Sequence, residues 1–183
     1  MGSRAPARVT ARGRLGRMDF TIRAVRPEEY EELGDLTGLT YLNDGLLLHG
    51  EDDFYLDVLR DTARRARESE VLVAVDADGT VIGGVTFAEG GTAWADIAVP
   101  GEAEFRMLVV APAARGRGVG EALVRACVDR ARALTGCARL VLSTAPKMVS
   151  AHRIYERMGF VRTPDRDWRP IPEHFLRTYA LEL

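Results

Sequence analysis

The chain has 183 residues, of which 46% are hydrophobic and 28% charged, with a net charge of −2. That balance suits one domain large enough to bury a core, and it excludes a disordered chain. Near-neutral charge argues against nucleic acid as the main partner, and no apolar run is long enough to span a bilayer. Cys127 and Cys137 lack metal-ligand spacing and read as a reduced pair in a cytoplasmic protein, with no metal site.

Residues 1–17 differ from the rest. They carry Arg4, Arg8, Arg12, Arg14 and Arg17, no acid, and no apolar core of the kind a secretory signal needs. We read them as a disordered basic extension ahead of one domain, 18–183, with Met18 an alternative start.

Phe20 to Val25 alternates as a first, edge-type strand. Arg26-Pro27-Glu28-Glu29 then opens a helix running to about Tyr41, with proline early and acids in the first turn. Asn43-Asp44-Gly45 breaks it, and a second helix is expected from about Asp52 to Glu68. The joining segment, 42–50, reads equally as the wall of a substrate cleft or as a surface loop. Val71 to Val75 and Val81 to Phe87 form a hairpin around Asp76-Ala77-Asp78-Gly79-Thr80. A loop then leads to a strand from Glu102 to Val110, alternating at first and fully apolar at its end, as a strand entering the sheet centre does.

The next stretch organises the chain: Ala111-Pro112-Ala113-Ala114-Arg115-Gly116-Arg117-Gly118-Val119-Gly120-Glu121. An apolar strand, a glycine-rich loop and a helix start gather backbone N–H groups at a positive helix end, where a phosphate can sit. Arg115 and Arg117 add fork-shaped donors suited to phosphate oxygens. The dinucleotide fingerprint fails, because Glu121 stands where its last glycine belongs. A P-loop fails too, since the only lysine in the chain is Lys147. Read as Arg115-x-x-Gly118-x-Gly120, the loop resembles the acyl-CoA pyrophosphate loop of the GNAT superfamily of N-acetyltransferases.

The helix that follows has the clearest pattern in the chain. Leu123, Val124, Cys127, Val128, Ala131 and Leu134 share one face, and Gly136 ends it. Arg139 to Ser143 is the next strand, so strand, helix and strand imply a parallel crossover. A further helix is expected between Pro146 and Gly159. It carries Ala151-His152-Arg153-Ile154-Tyr155-Glu156-Arg157-Met158-Gly159-Phe160, similar to the GNAT motif A-x-x-L-Y-x-x-x-G-F. Two motifs in order, separated by a strand, are far more specific than either alone. Phe160 to Arg162, a loop from Pro164 to His174 and a final strand from Phe175 to Leu183 complete the chain. In that loop Trp168, beside Asp165 and Asp167, either meets an amine cation or covers the sheet edge.

The resemblance implies an α/β (α+β) fold: a single GNAT-type domain whose mixed, mostly antiparallel sheet is flanked by helices, with strands splayed at the cofactor site. It implies an acetyl-CoA-dependent N-acetyltransferase acting on a primary amine of a small molecule or peptide. A non-catalytic acyl-CoA-binding domain on the same fold is the alternative. By resemblance, the backbone of Arg115, Gly116, Arg117, Gly118, Val119 and Gly120 holds the diphosphate. Leu108, Val109 and Val110 align the pantetheine arm like an extra strand, and an N–H near Leu108 or Val109 meets the carbonyl oxygen.

Protons must also move. An alkyl ammonium, with a pKa of about 10.4, must lose one before it attacks, and a departing thiolate gains from a donor. Tyr155 matches the family's general acid, and a phenol with a pKa of about 10 is protonated at pH 7. Glu104 is the expected base, with Glu102 on the same strand face as the other choice. Where many relatives have an asparagine that touches the cofactor, this chain has Met148, and Ser143 or Ser150 is left to replace the contact. His152 is expected to face solvent or to cap its helix. The partners implied are the amine substrate, with no nucleic acid and no membrane; a homodimer stays open.

Overall fold

The structure, a computed structural model, describes residues 19–183. The basic stretch 1–17 and Met18 lie outside the described residues. The elements in chain order are β1 (Phe20–Ala24), α1 (Tyr30–Asn43), α2 (Tyr55–Arg60), α3 (Thr62–Glu68), β2 (Glu70–Asp76), β3 (Val81–Glu89), β4 (Glu102–Val110), α4 (Val119–Ala133), β5 (Arg139–Thr144), α5 (Val149–Arg157), β6 (Val161–Arg162), β7 (Trp168–Ile171) and β8 (His174–Glu182). They build an open sheet in the order β1-β2-β3-β4-β5-β8-β6, with β7 added beside β8. Every junction is antiparallel except β4 with β5, which the α4 crossover makes parallel.

Helices cover both faces, and the central strands are apolar on both sides as a result. Along β2, Leu72 and Ala74 enter the core under α4 and α5, while Val71, Val73 and Val75 enter the one under α1. The buried stripe of α4 (Leu123, Val124, Cys127, Val128 and Ala131) follows the expected spacing. Consecutive glycines on β3 admit one helix to each face. A Cβ at Gly83 would stand 2.8 Å from Val109 O and 3.1 Å from Val119 Cγ1, and one at Gly84 would stand 2.5 Å from Leu33 Cδ1. Gly83 thus lets α4 close on the sheet, and Gly84 does the same for α1.

Two expected elements come out differently. The single helix expected over 52–68 is two, because Asp61 (φ −77°, ψ 67°) breaks it and its side chain accepts from Arg64 N–H at 2.9 Å. An N-cap carboxylate stabilises the new start. The loop expected over 164–174 contains β7, which hydrogen-bonds β8 from Trp168 opposite Leu176 to Ile171 opposite His174. Accordingly β8 begins at His174. No helix among the described residues is long and apolar enough to cross a membrane.

Candidate active site

β4 ends at Val110, and Pro112–Ala114 makes a single 3-10 turn before α4. Gly116 and Gly118 have φ of 77° and 82°, left-handed backbone that glycine adopts without strain. Gly118 is the N-cap of α4, and no side chain of the described residues caps the helix. The amides from Gly116 through Glu121 consequently find no acceptor among the described residues; the first bond is Ala122 N–H to Gly118 O at 3.0 Å. Consecutive free donors at the positive end of a long helix are the requirement for holding a diphosphate. A Cβ at Gly116 or Gly118 would meet nothing within 4 Å, so the outer side of this cradle is open. Val119 and Gly120 are buried and anchor the loop to the core. The two arginines are not idle: Arg115 pairs with Asp44 at 2.9 Å and Arg117 with Asp19 at 2.7 Å.

Beside the cradle the sheet splits. β4 pairs with β5 at Glu102, Ala103 and Glu104, and no further. From Phe105 to Val110 its other side remains on β3, so the side facing β5 offers backbone groups to no strand of the sheet. A bulge marks the split: the register with β3 shifts between Gly84 and Thr86, and Met107 has φ 53°. The extra residue changes the facing of the strand. Met107 and Val109 are buried toward α1–α3, while Leu108 and Val110 lie half-buried toward α4.

Tyr155 sits under this split. Its ring packs on Phe105 of β4 at 5.8 Å between centroids and on Tyr179 of β8 at 5.9 Å. It therefore touches β4 on one side of the gap and, on the other, β8, the strand that flanks β5. The hydroxyl makes no hydrogen bond among the described residues, and burial, with the phenol of Tyr41 next, pushes its pKa well above the ordinary value. His152, expected at the surface, is buried at 6% exposure. Its Nε2 donates to Ala145 O at 3.1 Å and its ring packs on Tyr179, so it fixes the loop after β5. Met148 is held there too, its sulfur accepting from Thr144 Oγ1 at 3.6 Å.

Glu104 is fully buried. One carboxylate oxygen accepts from the amides of Ile97 (2.9 Å) and Ala98 (3.1 Å); the other has no partner among the described residues. Burial raises its pKa, and those amides and Arg106 offset only part of the rise. Glu102 has the opposite character. Arg166 binds both of its oxygens, at 2.9 and 2.8 Å, which with the Val99 amide holds its pKa low against burial. Asp167 is also committed to the fold, taking both Nη atoms of Arg162 and the amide of Thr178.

A polar layer on the α1–α3 side escaped the sequence reading. Arg106 donates to Tyr55 Oη and Trp94 O, both at 3.1 Å, and pairs with Asp96 at 2.7 Å. Arg65, 1% exposed, donates to Leu59 O (2.9 Å), Thr62 Oγ1 and Thr86 Oγ1 (both 3.0 Å). The one available signal was Arg106 itself, a charge in the otherwise apolar run Phe105 to Val110.

The family model described as Acetyltransferase (GNAT) family matches residues 35–160, a span that holds the cradle, the split strand and Tyr155. The chain belongs to the GNAT acetyltransferase family. An uncharacterised N-acetyltransferase of Schizosaccharomyces pombe is 33% identical over 102 residues, 56% of this chain and 58% of that protein. The match thus spans little more than half the length of that curated relative. Among solved structures, a phosphinothricin acetyltransferase of Sinorhizobium meliloti in complex with acetyl-CoA superposes with a TM-score of 0.68 at 18% identity, covering 91% of this chain and 89% of that one. A spermidine N-acetyltransferase of Vibrio cholerae in complex with CoA and spermine superposes with a TM-score of 0.64 at 18% identity, covering 91% and 96%. At such identities the likeness is one of fold, and this GNAT fold is the mixed sheet with a split that the sequence resemblance implied.

Proposed function

We propose that this GNAT acetyltransferase moves the acetyl group of acetyl-CoA to a primary amine of a small molecule or peptide. One observation carries the reading: the unpartnered amides from Gly116 through Glu121 open beside the unpaired side of β4, with Tyr155 directly below. Acetyl-CoA supplies an acetyl group activated as a thioester. The amides of Gly116 to Gly120 hold its diphosphate, and Arg115 and Arg117 add charge. Leu108, Val109 and Val110 give the pantetheine arm a strand edge to lie along, and a backbone N–H near Leu108 or Val109 meets the charge that develops on the carbonyl oxygen. CoA compounds bound in the two similar structures support this choice of donor.

Tyr155 donates a proton to the departing sulfur. Its raised pKa keeps the phenol protonated, and the lack of another hydrogen-bond partner among the described residues leaves the proton free for that use. Glu104 is the base, through the carboxylate oxygen that has no partner among the described residues. A raised carboxylate pKa brings a base closer to the working pH. The acceptor is set elsewhere, by the polar layer of Tyr55, Asp96 and Arg106. Two similar folds named for so different a pair of acceptors as phosphinothricin and spermidine show that the fold does not choose it.

The test is release of free CoA thiol from acetyl-CoA over a panel of amines, with Tyr155→Phe alongside. The wild type is expected to turn over at least one amine class, and the variant to bind CoA while losing about a hundredfold in kcat. Tight binding without turnover on any amine or peptide would make the chain an acyl-CoA-binding protein instead.

A further inference from the structure

One turn meets a cation from each side of the split. Asp44 and Gly45 follow α1 directly, and the turn is fixed by Gly45 N–H to Leu42 O at 3.0 Å and Leu46 N–H to Tyr41 O at 2.8 Å. Both oxygens of Asp44 accept from Arg115 Nη2, at 2.9 and 3.3 Å. Gly45 O accepts from Lys147 Nζ. Arg115 lies on the loop that leaves β4, and Lys147 on the loop that leaves β5. These are the two strands that part after Glu104 and Val141. A single turn therefore spans the C-terminal end of the split, at the place where the free amides of the cradle begin.

Lys147 is the only lysine among 25 basic residues. The carboxylate of Asp44 and the carbonyl of Gly45 are oxygen acceptors, the kind of ligand that phosphate oxygens offer to the same cations. Both partners of the Arg115–Asp44 pair are substantially exposed, with side chains 48% and 36% accessible, so solvent screens it and it opens at small cost.

We propose that the Asp44–Gly45 turn is a clasp across the mouth of the split, and that the diphosphate of the CoA donor displaces it by taking Arg115 and Lys147 as its own partners. The inference rests on the donor reading above. It makes Lys147 a donor-binding residue of this chain outside the two GNAT motifs, and Asp44 a competitor of the donor.

The experiment is calorimetric titration of CoA into the full chain and into Asp44→Asn, Lys147→Met, Arg115→Gln and the double variant Asp44→Asn/Arg115→Gln. Expected are a two- to five-fold tighter Kd in Asp44→Asn, about the worth of one exposed pair, and loss of that gain when Arg115 is also replaced. Lys147→Met is expected to weaken CoA about five-fold. Pantetheine, which has no diphosphate, is expected to bind all five proteins equally in an NMR titration. An undiminished gain in the Arg115→Gln background would show a long-range charge effect and overturn the clasp. So would an unchanged Kd in Asp44→Asn or Lys147→Met, or a matching change for pantetheine. Failure of the wild type to bind CoA would instead overturn the donor reading, and the clasp with it.

Discussion

Glu104 and Val141 are the last partners in the one parallel junction that the sheet has among the described residues. One residue further along, Phe105 has left β5 and packs on Tyr155 and Phe160 from the helix side. The base and the acid of the proposed reaction are thus set at the same step in the strand, on opposite faces. Glu104 faces the loop at Ile97 and Ala98, while Phe105 points to the ring of the proposed acid. Pairing ends where the chemistry needs an opening.

Burial of Glu104 has a consequence for stability as well as for its proposed role as base. Its pKa is raised in the fold, so the folded state prefers the neutral acid. Stability from this group is fully present below the unfolded carboxylate pKa and is lost as pH rises through the raised folded value. Glu104→Gln keeps an oxygen for the amides of Ile97 and Ala98 and removes the charge. Its melting temperature is expected to match the wild type near pH 4 and to exceed it at pH 7, while turnover falls by about a hundredfold or more. Thermal melts across pH 4–8 check the first part, and a melting temperature below wild type at pH 7 would contradict it.

Gly118→Ala separates strain from ligand contact at the cradle. An alanine at φ 82° costs about 1–2 kcal/mol, although its Cβ would meet no atom within 4 Å. Melting should fall by a few degrees, since 1 kcal/mol shifts a chain of this length by about 2–4 °C. The methyl would also stand in the open side of the cradle, so CoA affinity is expected to fall at least about tenfold. Loss of stability with unchanged CoA affinity would move the diphosphate away from Gly118.

Tyr155→Phe is expected to be nearly silent in the fold. The ring contacts to Phe105, Phe160 and Tyr179 survive, and the hydroxyl gives up no hydrogen bond among the described residues. The change in unfolding free energy should stay below about 1 kcal/mol by urea titration. The raised pKa adds a second expectation. Wild-type activity should show no loss from Tyr155 ionisation up to pH 10, because the folded phenol stays protonated beyond its ordinary range. An alkaline limb that disappears in Tyr155→Phe would contradict this.

How much was legible follows from the kind of signal. The cradle and α4 could be read because glycine positions and a 3.6-residue stripe are local facts, and β2 with β3 because apolar runs flank a turn. Asp61 was hidden because one helical pattern runs through it, and only the turn at its own backbone shows two helices. β7 was hidden because Trp168-Arg169-Pro170-Ile171 has no strand pattern, and pairing with β8 alone makes it one. His152 looked exposed beside Arg153, yet it is drawn inward by Ala145 O and Tyr179. The layer around Arg106 and Arg65 joins residues more than 20 positions apart, which no spacing rule can assemble.

Arg65 is the strictest test of that hidden layer. It is 1% exposed, no carboxylate of the described residues lies within salt-bridge distance, and its Nε has no partner among them. Burial lowers its pKa to about 10, so it remains charged at neutral pH. For a base with a depressed folded pKa the cost of the charge is carried in full below that value and is relieved only as pH rises past about 10. Arg65→Ala leaves a cavity and strips Leu59 O, Thr62 and Thr86 of their donor, a loss expected to reach about 3 kcal/mol or more. Arg65→Met refills much of the volume and removes the unpaired charge, so it should recover at least half of that loss. Urea unfolding of both variants decides the point. If methionine is as damaging as alanine, the hydrogen bonds to Leu59, Thr62 and Thr86 outweigh the cost of burying the charge.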